Sequence, residues 1–529
     1  MWKISIIIIL GFLLRILGIN WDQGSHLHPD ERMLMMVADK IHFFENLNPE
    51  FFNYGSLPIY LLKGTGQILD SVFSTSYSFY GEMLYLGRFL SVLADVGVIF
   101  LIYKIAIIIF KKEEVALFSA FLYTVAFFPI QNSHFFIVDT FLNFFITLLF
   151  YASLLYLHKS SRKRLLFISI ALAAAITSKF TAIIYIPLIL IIVFYKSKKR
   201  LTDLFLFTFY LFLFTFTFMP FAYINYSKFI VDIKLQLELN SNPYVFPYTL
   251  QYVGTIPYWH YLKNIFLWGL GPVISILSIL GLWFLFKSKA LHLQRIFSGK
   301  NKFILLFLVF YIWYFLIIGN SAVKFMRYIL PVYPFLVILA GYTSLKAKKL
   351  HLRGVIIMAG LAVIWTFLFL SIYTKEHTRI SASNWIINNV PKGSTLAVEH
   401  WDDRLPIFDG ENYTYEELTL YDQPDNEEKW FSIRNKLERS DYIIIASNRL
   451  YNPIQKLASC SMYKICFPIS SSYYKRLFSE ELGFKKVAEF TSYPGFRIGN
   501  FNFEINDDIA DESFTVYDHP KIIIFEKEL

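Results

Sequence analysis

Residues 86–110 read LGRFLSVLADVGVIFLIYKIAIIIF, an apolar run that ends at the two lysines of residues 111–112. As a helix, a run of about 20 residues crosses the roughly 30 Å hydrocarbon core of a bilayer. Such runs recur along the chain, which is 56% hydrophobic and 19% aromatic. Because a soluble protein could not bury so many apolar side chains, the sequence predicts a polytopic membrane protein.

The chain divides by composition near residue 374. Residues 374–529 carry charges throughout, and short β-like runs alternate there with helical stretches, which predicts a compact α/β domain. Residues 1–373 are predicted to form a membrane domain of mainly α class, with about eleven spanning segments. These segments are 4–20, 86–110, 115–130, 140–157, 165–178, 181–195, 202–220, 265–286, 303–319, 328–345 and 354–373.

The distribution of charge predicts the topology. The net charge is +10, but residues 374–529 hold 18 Lys and Arg against 25 Asp and Glu, which leaves +17 for the remainder. Counted from a cytoplasmic N-terminus, every basic loop falls on the cytoplasmic side, so we expect a multi-pass protein of the plasma (inner) membrane with an extracytoplasmic C-terminal domain. This distribution does not favour a nucleic-acid partner. The basic loops are residues 111–112, 159–164, 196–200, 287–302 and 346–353.

Two predicted outer loops each bring a carboxylate to the start of a helix. Asp30 and Glu31 follow His28-Pro29 after the first segment, and Asp139 precedes the segment at 140–157. A helix N-cap or a favourable interaction with the helix dipole would explain such residues without any function. A carboxylate at the membrane–water boundary could also accept a proton from an attacking hydroxyl group.

Three cationic residues lie on the predicted outer side, where the topology rule expects few. Lys179 lies within residues 175–182, and Lys324 and Arg327 lie within the stretch KFMRYILP. Lys179 could simply extend its ammonium group to the interface. Alternatively, all three residues could bind a phosphate group, because Arg and Lys side chains both bind phosphate.

Other residues give weaker signals. Asn53 and Tyr54, in the first outer loop, belong either to an ordinary turn or to a sugar contact. Cys460 and Cys466 are either free thiols or, in an extracytoplasmic domain, a disulfide. The sequence contains no Walker loop, no Gly-rich nucleotide fingerprint and no His-Glu-x-x-His motif, so it does not support nucleotide-sugar or ATP chemistry.

The motifs HPDE, SHFFIVDTFL, TSKFTA and KFMRYILPVYPFL together resemble the GT-C superfamily of glycosyltransferases. They are most similar to the branch that contains the dolichyl-phosphate-mannose protein mannosyltransferases and the bacterial aminoarabinose transferases of lipid A. The resemblance covers about residues 1–373. It implies a GT-C membrane fold and an inverting transfer of a sugar from a polyprenyl-phosphate carrier to an acceptor hydroxyl group on the outer membrane face.

The resemblance also implies roles for individual residues. Asp30 would be the catalytic base, Glu31 its neighbour on the acceptor side, and Asp139 the second acidic residue of the site. Lys179, Lys324 and Arg327 would hold the carrier phosphate as it leaves. The full set of candidate substrate-binding residues is Lys179, Lys324, Arg327, His28, Asn53, Tyr54 and His134.

Some features of the reaction stay open at this stage. The sequence lacks the internal β-trefoil domain of the eukaryotic mannosyltransferases, so the acceptor could be a glycan, a lipid or a protein. Whether a divalent cation assists is not decided, and no other cofactor is expected. The other partners implied are the lipid-linked sugar donor and membrane lipids. A transporter or flippase of lipid-linked sugars is the main alternative, although the hydropathy pattern shows no internal repeat.

Overall fold

The computed structural model describes residues 2–288, 301–346 and 349–528. The predicted basic loops at 287–302 and 346–353 therefore fall partly outside the described residues. By the proximity of Cα atoms the chain divides into two compact units, one helical and one α/β. The helical unit comprises Met1–Asn20, His28–Leu237 and Ile256–Phe367, and the α/β unit comprises Trp21–Leu27, Glu238–Thr255 and Leu368–Leu529.

The chain up to residue 370 is almost entirely helical. Short 3-10 segments at Phe180–Tyr185 and Met326–Val332 directly precede the helices that begin at Ile186 and Tyr333, and a π-helical turn at Ile265–Gly269 precedes the helix that begins at Gly271. The helices are α1 (Trp2–Ile16), α2 (Pro29–Asp39), α3 (Leu57–Phe73), α4 (Met83–Phe110), α5 (Glu113–Thr124), α6 (Phe127–Ser133), α7 (Val138–His158), α8 (Arg162–Ser178), α9 (Ile186–Lys196), α10 (Arg200–Phe218), α11 (Phe221–Ile224), α12 (Tyr226–Ser241), α13 (Trp259–Asn264), α14 (Gly271–Lys287), α15 (Asn301–Ile318), α16 (Tyr333–Lys346) and α17 (Lys349–Leu370).

Each predicted spanning segment overlaps a helix or consecutive helical pieces, although α1 ends at Ile16, before the predicted end at residue 20. Among the described residues, six helices are long and apolar enough to cross a membrane, or seven if α5 and α6, bent by 57° at their junction, form one span. The remaining predicted segments fall on shorter helices; α1, for example, has 15 residues. The membrane class is thus confirmed, and the number of spans stays a prediction.

Helix packing in the helical unit depends on the close approach of helix backbones as well as on apolar side chains. α4 packs against α5 and α7, α8 against α7 and α10, and α16 against α5 and α14. At Gly281 of α14, an added Cβ atom would lie 1.8 Å from the carbonyl oxygen of Leu339 in α16. The two backbones can therefore touch only because residue 281 has no side chain, which is typical of helix contacts in membranes.

A buried polar network links four of these helices. The Arg15 guanidinium group of α1 lies 2.6 Å from the Asp95 carboxylate of α4, and both side chains are fully buried. The Tyr123 hydroxyl group of α5 donates to Asp95 at 2.5 Å and accepts from the Asn143 amide of α7 at 2.8 Å. Because every charge in this network has a partner, ion pairing and hydrogen bonds offset the cost of removing these groups from water.

The α/β unit is built on a five-stranded mixed sheet with the strand order β2-β1-β3-β7-β4. β1 pairs in parallel with β2 and β3, and β7 pairs antiparallel with β3 and β4. The strand β3 reads YIII and is buried along its whole length, as expected for a central strand covered on both faces. The predicted α/β region is confirmed. Its strands are β1 (Thr395–Glu399), β2 (Thr414–Leu418), β3 (Tyr442–Ile445), β4 (Phe484–Phe490), β5 (Gly495–Ile498), β6 (Phe501–Glu504) and β7 (Ile522–Lys527), and its helices are α18 (Thr378–Asn389), α19 (Glu427–Arg439), α20 (Tyr451–Lys456), α21 (Pro468–Phe478) and α22 (Glu512–Thr515).

The two cysteines of the chain form a disulfide. Cys460 and Cys466 are bonded, with their Cα atoms 5.0 Å apart. Of the two alternatives that the sequence left open for these residues, the structure contains the disulfide.

Candidate active site

The start of α2 directs Asp30 out of the helix. His28 is the N-cap residue, its Nδ1 atom accepts a hydrogen bond from the Asp30 backbone N–H at 3.2 Å, and Pro29 is the first helical residue. The His28 ring also packs against the Phe135 ring, with centroids 4.7 Å apart. Because His28 supplies the cap, the Asp30 carboxylate is free to pair with Arg327, at 2.9 Å. Asp30 is therefore not the N-cap that the local sequence also allowed.

Asp139 occupies the equivalent place at the start of α7 but is much more buried. Its side chain is 2% exposed, against 23% for Asp30. The Lys179 ammonium group lies 2.7 Å from one carboxylate oxygen of Asp139, and the Nε atom of Arg327 lies 3.7 Å from the other. Two carboxylates from different helices thus share a single guanidinium group.

Asp30, Asp139, Lys179 and Arg327 form what we call the charged cluster. Lys179 immediately follows α8, and its ammonium group lies 4.1 Å from the centre of the Tyr328 ring, a cation–π contact. Arg327 belongs to the 3-10 segment before α16. The cluster brings together four charges from distant parts of the sequence, two negative and two positive.

The loop that contains Asn53 and Tyr54 lies against the end of α8. The Gly55 N–H donates to the Ser178 carbonyl at 3.2 Å, and an added Cβ atom at Gly55 would lie 1.9 Å from the Thr177 carbonyl oxygen. Both Asn53 and Tyr54 are partly buried. A glycine is therefore required here if the loop is to reach the residue that precedes Lys179.

Tyr54 is electrostatically coupled to the cluster. Burial raises the pKa of its phenol group well above the usual range, and the negative charge of Asp30 raises this pKa further. The phenol group therefore stays protonated at neutral pH and can act as a hydrogen-bond donor.

Glu31 makes its contacts elsewhere. Its side chain is fully buried, and its two oxygens accept from the Arg88 guanidinium group at 2.9 and 2.8 Å. One of these oxygens also accepts the Phe136 backbone N–H at 2.7 Å. Successive residues of a helix point about 100° apart, so Glu31 and Asp30 face different surroundings although they are adjacent in sequence. This arrangement favours a structural task for Glu31, which fixes the loop that leads into α7.

His134 and Lys324 contact backbone carbonyl groups. The two ring nitrogens of His134 lie 2.8 Å from the Ile130 carbonyl oxygen and 2.7 Å from that of Leu17. The buried Lys324 ammonium group donates to the Ala322 carbonyl at 2.9 Å. These contacts do not bring either side chain into the ion pairs of the charged cluster.

Two residues that support the site were not singled out from the sequence. Arg88 neutralises Glu31, and the Tyr328 ring supports Lys179. A signal for Arg88 was present, because it is an ionisable residue within the apolar run at 86–110. Tyr328 directly follows Arg327, but nothing in the sequence indicates which side chain its ring covers.

The described residues do not contain a ready metal site. Across residues 2–288, 301–346 and 349–528, no group of three or more His, Cys, Asp or Glu side chains is arranged to hold a metal ion. The two carboxylates of the charged cluster are instead paired with Lys179 and Arg327.

Comparison with known proteins gives the fold a context. The family model for dolichyl-phosphate-mannose-protein mannosyltransferases matches residues 73–224. The oligosaccharyltransferase of Archaeoglobus fulgidus in the apo form aligns with a TM-score of 0.51 and 12% identity, over 85% of this chain and 70% of its own. ArnT of Cupriavidus metallidurans bound to undecaprenyl phosphate aligns with a TM-score of 0.47 and 12% identity, over 98% and 97% of the two chains. No curated protein sequence matches.

The fold is of the GT-C type. The alignment with the oligosaccharyltransferase shows a shared architecture. Its sequence identity is too low to indicate a shared function. The predicted resemblance to the GT-C superfamily is confirmed, and the family match agrees with the predicted glycosyltransferase class. The matched residues include Asp139 and Lys179 of the charged cluster.

Proposed function

We propose that this protein transfers a sugar, with inversion, from a polyprenyl-phosphate carrier to an acceptor hydroxyl group at the outer face of the membrane. The observation that carries the proposal is the charged cluster, in which Arg327 reaches both Asp30 and Asp139. The description of the matched family, which names a dolichyl-phosphate-linked sugar, supports a donor of this class.

The positive half of the cluster suits a phosphate leaving group. When the bond between the sugar and the phosphate breaks, the leaving phosphate gains negative charge, which a fixed cation stabilises. The guanidinium group of Arg327 can bind two phosphate oxygens at once, whereas the ammonium group of Lys179 acts as a point charge. We assign both side chains to the donor phosphate, with Lys324 as a further source of positive charge.

The negative half suits a general base. An acceptor hydroxyl group must lose its proton as it attacks the sugar, on the face opposite the leaving phosphate. Asp30 is the more exposed carboxylate of the two, at 23%, and we assign it this role. Arg327 lies 2.9 Å from the Asp30 carboxylate, so a donor phosphate that draws Arg327 away would leave this carboxylate available to the acceptor hydroxyl group. Asp139 would then hold Lys179 and Arg327 in position.

We further propose that residues 374–529 form an extracytoplasmic domain and that the protein belongs to the plasma (inner) membrane. The distribution of Lys and Arg supports this topology. The disulfide between Cys460 and Cys466 supports it as well, because disulfides persist mainly in oxidising compartments. If a reporter that works only in the cytoplasm is active when it is fused to the C-terminus, that result would contradict this topology.

The direct experiment is a transfer assay with purified protein in liposomes. A panel of radiolabelled polyprenyl-phosphate sugars is offered with candidate glycan, lipid and peptide acceptors, and the anomeric configuration of any product is determined by NMR. We expect one donor to yield a product of inverted configuration. Movement of the intact labelled lipid across the bilayer without any transfer would contradict the proposal and indicate a flippase.

A further inference from the structure

The α/β unit carries a small hairpin separate from its five-stranded sheet. β5 and β6 pair antiparallel, with Phe496 opposite Phe503 and Ile498 opposite Phe501. Alternate residues of a strand point to the same face, and so do residues directly opposite each other on paired strands. These four apolar side chains therefore lie on a single face, which we call the apolar hairpin face. The turn contains Gly499 at φ +58°, a conformation that glycine adopts without strain.

The apolar hairpin face is exposed, and the opposite face is polar. Phe496 and Phe503 are each 42% exposed, Ile498 is 72% exposed and Phe501 is 61% exposed. On the other face Arg497 lies opposite the polar residue Asn502. The hairpin is therefore amphipathic, and its apolar side is not buried against the core of its own unit. Exposure of such a contiguous apolar surface to water is unfavourable, and patches of this kind commonly bind an apolar partner.

The base of the hairpin is tied to the end of a membrane helix. The Gly495 N–H donates to the Ser371 hydroxyl oxygen at 3.1 Å, and Lys375 donates to the Tyr493 carbonyl at 2.7 Å. Ser371 directly follows Leu370, the last residue of α17, and residues 353–370 of α17 belong to a candidate membrane span. The hairpin thus begins beside the end of a helix that is long and apolar enough to cross a membrane.

We propose that the apolar hairpin face inserts into the bilayer surface at which α17 ends. The partner is the lipid itself, because the tether to Ser371 places the hairpin beside the end of a membrane helix. Phe and Ile side chains enter the boundary between headgroups and acyl chains, as they do in other interfacial amphipathic elements. Arg497, on the polar face, extends toward lipid phosphates. The hairpin thereby adds a second attachment of the α/β unit to the membrane.

A fluorescent label at Ile498 tests this proposal. Both native cysteines are in the disulfide, so an Ile498→Cys variant has a single free thiol for an environment-sensitive label such as NBD. The full-length protein is placed in nanodiscs of phosphatidylcholine and phosphatidylglycerol, with or without lipids that carry a spin label near the headgroup. The control variant is Phe431→Cys, at a position on α19 that is also exposed, at 65%.

We expect the label at residue 498 to emit at shorter wavelength than the label at residue 431, and spin-labelled lipid to quench only the former. Emission at residue 498 that is as water-like as at residue 431 would overturn the proposal. A blue-shifted emission that spin-labelled lipid does not quench would overturn it too, because a protein surface rather than lipid would then cover the hairpin.

Discussion

The guanidinium group of Arg327 lies 2.9 Å from the Asp30 carboxylate and 3.7 Å from that of Asp139, so one side chain connects the first turns of α2 and α7. A donor phosphate would compete with Asp30 for the same N–H groups. Binding of the donor and release of the base would therefore be coupled through Arg327.

Replacement of Arg327 should weaken donor binding. We expect Arg327→Ala to lower the affinity for polyprenyl phosphate by about 10- to 100-fold, which corresponds to the loss of a hydrogen bond to a charged group. Lys324→Ala should have a smaller effect, since that ammonium group is held by the Ala322 carbonyl. Binding is measured by titration in detergent. The control is Arg164→Ala, because Arg164 lies at the start of α8 and Lys179 of the charged cluster follows the other end of that helix. An unchanged affinity in Arg327→Ala and in the Arg327→Ala/Lys324→Ala double variant would argue against a phosphate site here.

Asp139 should matter for stability as well as for transfer. Asp139→Asn removes the partner of Lys179, whose side chain is only 11% exposed, and leaves a buried charge uncompensated. We expect slower transfer and a loss of about 3–5 kcal/mol in stability. The double variant Asp139→Asn/Lys179→Met should regain much of the stability but not the activity. Thermal unfolding and transfer rates are compared, and a stable Asp139→Asn variant with full activity would show that the ion pair is dispensable.

Much of the fold follows from simple sequence patterns. Length and apolar composition predict the helices of the membrane domain, and the change in charge near residue 374 predicts the α/β region. The short segments 21–27 and 238–255, which join the α/β unit, could not be predicted in this way. Their membership depends on long-range contacts, such as the hydrogen bond between the Gln251 amide and Glu512 at 2.9 Å.

For the site, the sequence indicated which residues carry charge but not how they pair. Asp30, Asp139, Lys179 and Arg327 were all candidates, because each is an ionisable residue near a membrane boundary. Glu31 was a candidate on the same grounds. Its pairing with a residue of α4 depends on helix orientation, which adjacent positions in a sequence do not reveal.

A substitution of Glu31 tests whether this residue stabilises the fold or takes part in the reaction. We expect Glu31→Gln to destabilise the protein by about 3–5 kcal/mol, because the buried guanidinium group of Arg88 loses its counter-ion. Adding Arg88→Met should restore part of the loss. Unfolding midpoints in detergent would measure both effects. If Glu31 instead takes part in the reaction, the single variant will keep its stability and lose transfer.

The α/β unit should lose stability at alkaline pH. The His519 ring is buried between Asp518, at 2.5 Å, and Asp507, at 2.9 Å. Burial by itself would lower the pKa of His519, but the two carboxylates raise it from 6.5 to about 10. Because the folded state then holds the proton more tightly than the unfolded state, the stabilisation is complete below about pH 6.5 and is lost as the pH rises through about 10.

Thermal unfolding of the full-length protein as a function of pH measures this effect. The unfolding temperature should fall between about pH 7 and pH 10, the range set by the ordinary and the raised pKa of His519. His519→Gln should flatten that dependence, whereas His400→Gln, at a position whose side chain is 42% exposed, should not. An identical pH dependence in wild type and His519→Gln would contradict the assignment.

The rate of sugar transfer by Asp30→Asn tests the central proposal most directly. Asparagine keeps the size of the side chain and can still contact Arg327, but it cannot take a proton from the acceptor. If Asp30 is the general base, the single-turnover rate should fall by about a hundred- to ten-thousand-fold while donor affinity is retained. A rate within about threefold of wild type would be a much smaller loss than the removal of a general base causes. Such a rate would show that the base lies elsewhere.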